Sequence, residues 1–122
     1  MSQLLQNLEH EGLSISTVLS QGAATLIWKG FSQMRTPEFV LEPFLRERVA
    51  EFKGRTLTVD FRQFEYMNSA TQSPILQFLK SLDRNKIPTR VLYNTQLEWQ
   101  RTSYRCMKVL FQSMPNLQFE CS

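Results

Sequence analysis

The stretch Tyr66-Met67-Asn68-Ser69-Ala70-Thr71-Gln72-Ser73-Pro74 marks a change from strand to helix, and the elements flanking it decide the fold. Before it, Leu57, Val59 and Phe61 alternate as a strand with β-branched neighbours. After it, Ile75, Phe78, Leu79 and Leu82 follow the i, i+3, i+4, i+7 spacing of an amphipathic helix. Such a junction gathers hydroxyl and amide groups at the positive end of a helix, where orphan N–H groups and the helix dipole favour an anion. Two cappings fit these residues. Ser69 as N-cap puts Gln72 at N3 and completes a capping box, but distorts the opening turn at Pro74. Ser73 as N-cap puts Pro74 at N1, where proline is welcome, and leaves 68–72 as an exposed loop. The first is preferred, and local chemistry alone gives Ser69 a structural capping role.

Working outward, Asn85 closes this helix and Thr89-Arg90-Val91-Leu92-Tyr93 forms a strand after Pro88. Thr95-Gln96-Leu97-Glu98 reads as a capping box opening a helix that runs to about Gln112, with Leu97, Tyr104, Met107 and Phe111 on one side. Pro115-Asn116 stops it, and 117–120 alternate as a last strand. Toward the N-terminus, Leu13–Leu19 and Leu26–Phe31 are strands joined through Ser20-Gln21-Gly22-Ala23, the one hairpin expected. Thr36-Pro37 has a helix-start signature, yet Pro43 sits uncomfortably far inside, so the helix either kinks or begins near Pro43. Phe44, Leu45, Val49 and Phe52 supply its apolar side, and Gly54 suits the left-handed position that ends it. Residues 1–11 read as a lead segment, expected to be mobile. The order β-β-α-β-α-β-α-β, with right-handed crossovers, predicts a single α/β domain over 1–122: a mixed four- to five-stranded sheet packed with three helices.

Composition narrows the function. With 122 residues, 42% hydrophobic and 20% charged, the chain suits one globular domain. Cys106 and Cys121 are too few for a disulfide framework or a cysteine-based zinc site, and His10 is the only histidine. A reduced, cytoplasmic setting follows, with neither a signal peptide nor a membrane span expected. The net charge of +3 comes without a block of like charges, so nucleic acid is not an expected partner. Arg101, Arg105 and Lys108 form one helical stripe, either a solvated face or a docking face for an acidic partner or a nearby phosphate. Asp60 and Glu65 are the only acids flanking the corner, and they read as solvated or capping groups before they read as a catalytic pair. The four glycines are scattered, which excludes a phosphate-binding loop. No enzyme, metal or cofactor is expected.

The element order and the run Thr58-Val59-Asp60-Phe61 to Asn68-Ser69-Ala70-Thr71 resemble the STAS domain of anti-sigma-factor antagonists. That family ends its third strand with an apolar-Asp-apolar triplet and carries Asp-Ser-Ser/Thr-Gly before its second helix. Val59-Asp60-Phe61 matches the triplet and Ser69 the first serine, while Asn68, Ala70 and Thr71 depart from the motif. Tyr66-Met67-Asn68-Ser69 is also similar to the corner of the SiaC-type branch, where an asparagine precedes the modified hydroxyl and Ala70 still departs. The resemblance implies a bacterial signalling phosphoprotein with Ser69 as phosphoacceptor and Thr71 or Ser73 as fallback sites. Tyr66, Met67, Asn68, Ser69 and Thr71 of the corner, with Arg101 and Arg105 of the basic stripe, make up the expected partner-binding set. The implied partners are a serine/threonine kinase, a phosphatase, and an anti-sigma factor or diguanylate cyclase. The alternatives are a small-ligand or nucleotide-binding module, a constitutive adaptor, and a structural oligomer subunit.

Overall fold

The computed structural model describes residues 3–4 and 7–121. Ten elements follow one another: β1 (Gln3–Leu4), β2 (Leu8–His10), β3 (Leu13–Ser20), β4 (Ala23–Ser32), α1 (Pro37–Phe52), β5 (Thr56–Met67), α2 (Ser69–Arg84), β6 (Thr89–Tyr93), α3 (Glu98–Leu110) and β7 (Leu117–Cys121). The strands form one mixed sheet in the order β1-β3-β4-β5-β6-β7, with β2 also on β3. β3 and β4 are antiparallel, and β4 through β7 run parallel. The five long strands and three helices are those expected from the sequence.

Because β4, β5, β6 and β7 are successive neighbours, right-handed crossovers all fall on one face of the sheet. The register agrees. Ile15 pairs with Trp28, Leu26 with Val59, Val59 with Val91 and Val91 with Phe119, so these side chains share a face. Leu41, Leu45 and Phe52 of α1, Ile75, Phe78 and Leu79 of α2, and Met107 of α3 join them in a single core. Each large apolar side chain sealed there contributes roughly 1.5–3 kcal/mol. The opposite face carries Ser14, Ser16, Thr25, Lys29, Thr58, Arg62, Arg90 and Gln118, none of them buried.

Several boundaries differ from the sequence reading. Within the lead segment, Leu8–His10 pairs with Leu13–Ile15 as a second hairpin, turned through Glu11 and Gly12, which both have positive φ. Two such residues define the tight hairpin turn that matches strand twist, and a glutamate in one of them hides the signal. α1 starts at Pro37 and continues through Pro43, whose ring is exposed, and Gly54 does take a positive φ just beyond it. β5 extends to Met67, six residues beyond Phe61, because it pairs with the tail of β4 across two register shifts. Those bulges bury both Phe61 and Phe64, breaking the alternation that marks a strand.

Candidate functional site

The corner between β5 and α2 is built on Asn68. It is the N-cap of α2, so neither Ser69 nor Ser73 is. Its Oδ1 accepts from the Thr71 backbone N–H at 3.1 Å and the Thr71 hydroxyl at 2.6 Å, while its Nδ2 donates to the Met34 carbonyl at 2.9 Å. The Thr71 hydroxyl also lies 2.7 Å from that of Ser32, and the Asn68 backbone N–H donates to the Ser32 carbonyl. This network ties the helix start to the end of β4 and the loop after it. It also accounts for an asparagine where the resembling motif has an aspartate, since a carboxylate cannot donate to Met34.

Ser69 therefore occupies N1, with its side chain exposed and its hydroxyl without a hydrogen-bond partner among the described residues. Thr71 is at N3 and fully buried. That corrects its expected roles as partner contact and fallback phosphosite: a hydroxyl committed to Ser32 and Asn68 reaches neither partner nor kinase. Ser73 is exposed on the first turns, and Pro74 is buried inside the helix rather than at N1. Tyr66 is 46% exposed at the end of β5, paired in register with Phe31 of β4, itself 42% exposed. Met67 is half-buried against the core. Phe39, 76% exposed in the first turn of α1, adds a third aromatic to this end of the molecule, one the sequence reading passed over.

A groove of about 620 Å³ opens between the start of α2 and α3. Ser69, Gln72, Met67, Leu97, Trp99 and Thr102 contribute to its walls, with Glu65 and Glu98 as its only charged residues. Its floor is held by two side chains that sequence patterns do not single out. Trp99 packs edge-on against Phe64 and donates its indole N–H to the Glu65 carbonyl at 2.9 Å. Gln100, fully buried, donates to the carbonyls of Phe61 and Phe64 and accepts from the Asn94 N–H. It satisfies the edge of β5 that β6, ending at Tyr93, no longer covers. Thr95 is not the N-cap of α3, which begins at Glu98 after an N-cap Leu97 that makes no side-chain bond, and Asn94 and Gln100 order the turn before it.

Arg101 and Arg105 are exposed but belong elsewhere. At about 100° per residue, Trp99, Thr102, Ser103 and Cys106 fall on the groove flank of α3, Gln100, Met107 and Phe111 on its core side, and Arg101, Arg105 and Lys108 on the remaining flank. The structure does not bring the two arginines to Ser69, and neither lines the groove. A phosphate on Ser69 would gain from the α2 dipole but would face Glu65 and Glu98 across the groove.

Elsewhere the ionisable groups serve structure. Hydrogen bonds from the Arg62 guanidinium hold the Asp60 carboxyl below its ordinary range and raise Arg62, on the bare face of the sheet. Burial pushes the Tyr93 phenol up to about 12, partly offset by a hydrogen bond with Ser103. Asp60 is thus committed to Arg62 in the same strand, with its oxygens taken by the arginine side chain and backbone.

The topology and the placement of Ser69 at the head of α2 define a STAS-like fold. Two solved structures share it. An anti-sigma factor antagonist from Mycobacterium paratuberculosis superposes with a TM-score of 0.57 at 17% identity, covering 97% of this chain and 86% of that one. An uncharacterized protein with a SpoIIAA-like fold from Shewanella loihica PV-4 superposes with a TM-score of 0.57 at 18% identity, covering 96% of this chain and 90% of that one. At these identities the likeness is one of fold. No family model and no curated protein matches the chain. Among the described residues, no helix is long and apolar enough to cross a membrane.

Proposed function

We propose that this chain is a non-enzymatic bacterial switch protein that docks a regulatory partner through the β4, β5 and α2 corner and is gated by phosphorylation of Ser69. The observation that carries the reading is the contrast within one helical turn. Thr71 is sealed into the capping network, whereas the Ser69 side chain is exposed on the wall of the groove beside Met67 and Trp99. A modifying enzyme can reach Ser69 without opening the fold.

The physics of the gate follows from charge. Phosphorylation adds about −1.5 to −2 charge at neutral pH. The helix N-terminus tolerates it, gaining about 0.3–1 kcal/mol. An apolar partner surface seated over the groove on Met67, Leu97 and Trp99 does not, since an unpaired dianion buried at an interface costs several kcal/mol. With Arg101 and Arg105 turned away, no side chain of the groove neutralises the phosphate. The likeness to an anti-sigma factor antagonist makes an anti-sigma factor with serine kinase activity the first partner to test, with a phosphatase to reset it. The SiaC-type resemblance makes a diguanylate cyclase the second. Ser69→Asp is expected to weaken binding to the cognate partner at least tenfold while Ser69→Ala retains it, both variants remaining folded; equal affinities rule the gate out.

The groove favours a second reading, a small-ligand module. Trp99, Met67 and Leu97 supply an apolar wall, and Ser69, Gln72 and Thr102 supply polar groups beside a helix N-terminus. A nucleotide that binds there raises the melting temperature by linkage, and a thermal-shift screen that finds none removes this reading.

A further inference from the structure

The two edges of the sheet are finished differently. On one side, β3 is covered by the short strands β1 and β2. On the other, β7 is the last strand, and among the described residues nothing pairs with its outer edge. Its sequence, Leu117-Gln118-Phe119-Glu120-Cys121, contains neither the lysine nor the proline that commonly blunts an open edge, and its register with β6 has no bulge. The Thr89 N–H donates to the Asn116 carbonyl at 2.7 Å. By the alternation of a parallel ladder, Gln118 and Glu120 then turn their backbone groups toward β6, while Leu117, Phe119 and Cys121 turn theirs outward.

Above this edge lies the flank of α3 that faces away from the groove. α3 is the last helix and packs on β6 and β7 through Tyr104, Met107 and Phe111, with the Tyr104 ring against Tyr93 and that of Phe111 stacked on Phe119. Helix periodicity therefore puts Arg101, Arg105 and Lys108 on the β7 side of α3, away from the groove. None of the three forms an ion pair with a carboxylate among the described residues; Arg101 donates to the Thr95 carbonyl and Lys108 caps the Tyr104 ring.

We infer that the β7 edge and this basic flank form a second docking surface, which takes an extended acidic segment of a partner protein as an added strand. The Leu117 N–H already donates to the Met114 carbonyl, so backbone bonds to the Leu117 carbonyl and to Phe119 and Cys121 hold the strand, and its alternate acidic side chains lie under Arg101, Arg105 and Lys108. Charge selects this occupant over a second copy of the chain. Two copies paired edge to edge across a two-fold axis set one basic flank against the other, and like charges so placed repel. The surface lies apart from the Ser69 corner and does not depend on its phosphorylation.

The test titrates an end-blocked ten-residue peptide of alternating glutamate and threonine, and its lysine-threonine counterpart, into the ¹⁵N-labelled full chain. At millimolar concentration the acidic peptide is expected to shift the amides of Phe119 and Cys121 and slow their hydrogen exchange, and the basic peptide to leave them unmoved. The double variant Arg101→Glu, Arg105→Glu changes exposed residues only and is expected to bind the acidic peptide at least tenfold more weakly. The inference is overturned if those amides do not respond, if the double variant binds equally well, if the shifts map to the groove instead, or if the free chain dimerises through β7.

Discussion

The substitution Asn68→Asp separates the capping network from an ordinary helix cap. Asparagine and aspartate are about equally good N-cap residues, so a cap judged by residue type alone predicts no change, or a gain of about 0.3–1 kcal/mol from the dipole. The structure predicts a loss. Nδ2 of Asn68 donates to the Met34 carbonyl at 2.9 Å. Losing that bond costs about 1 kcal/mol, and setting a carboxylate oxygen against a carbonyl adds about 1–2 kcal/mol for an acceptor without a donor. Subtracting the dipole gain leaves a destabilisation of about 1–3 kcal/mol at neutral pH. In a domain of this size that lowers the melting temperature by roughly 3–12 °C. Asn68→Ala serves as the control, since it loses the cap and the Met34 bond but introduces no repulsion. Urea unfolding followed by tryptophan fluorescence, with thermal melts alongside, measures both variants. An Asn68→Asp protein as stable as the unmodified chain refutes the Met34 bond and the account of why asparagine occupies this position.

Other outcomes follow from the same geometry. Gln100→Leu strands the carbonyls of Phe61 and Phe64 and the N–H of Asn94, and is expected to cost about 3 kcal/mol or more in denaturant unfolding. At Gly30, with φ of +89°, a Cβ would lie 1.9 Å from the Gly12 carbonyl oxygen, so Gly30→Ala is expected to cost about 3 kcal/mol or to prevent accumulation of folded protein. Asp60, depressed by its hydrogen bonds to Arg62, contributes stability that is complete above its unfolded value near 3.9 and is lost as pH falls through the lower folded value. The unmodified chain should therefore lose stability below about pH 4 more steeply than Asp60→Asn, which is expected to be about 1 kcal/mol less stable at pH 7. Parallel pH profiles of the two proteins test the sign.

The architecture was legible where one local rule dominated. Leu57, Val59 and Phe61 announced the central strand, and Ile75 through Leu82 announced α2, because burial on one face imposes its own period. Legibility failed where tertiary partners replaced local ones. Asn68 outcompetes Ser69 and Ser73 as the cap because Met34, 34 residues away, occupies its amide, and no local pattern records that contact. Thr71 looked like one more exposed hydroxyl of the corner, but its bond to Ser32 of β4 crosses 39 residues. Arg101 and Arg105 were assigned to the Ser69 surface from their stripe alone, which fixes a flank but not the direction that flank faces. Gln100 carried no signal at all: a polar residue on the inner side of a helix reads as a gap in an apolar stripe until the unpaired edge of β5 is seen beneath it.

Phosphosite mapping of the chain isolated from its native host decides whether the exposed Ser69 hydroxyl is held out for modification. Mass spectrometry is expected to find a single phosphate on Ser69, absent from Ser69→Ala and removed by phosphatase, with Thr71 never modified in folded protein. A chain that carries no phosphate at Ser69 even when its cognate kinase is present and active, or one modified at Thr71 or Ser73 instead, contradicts the account.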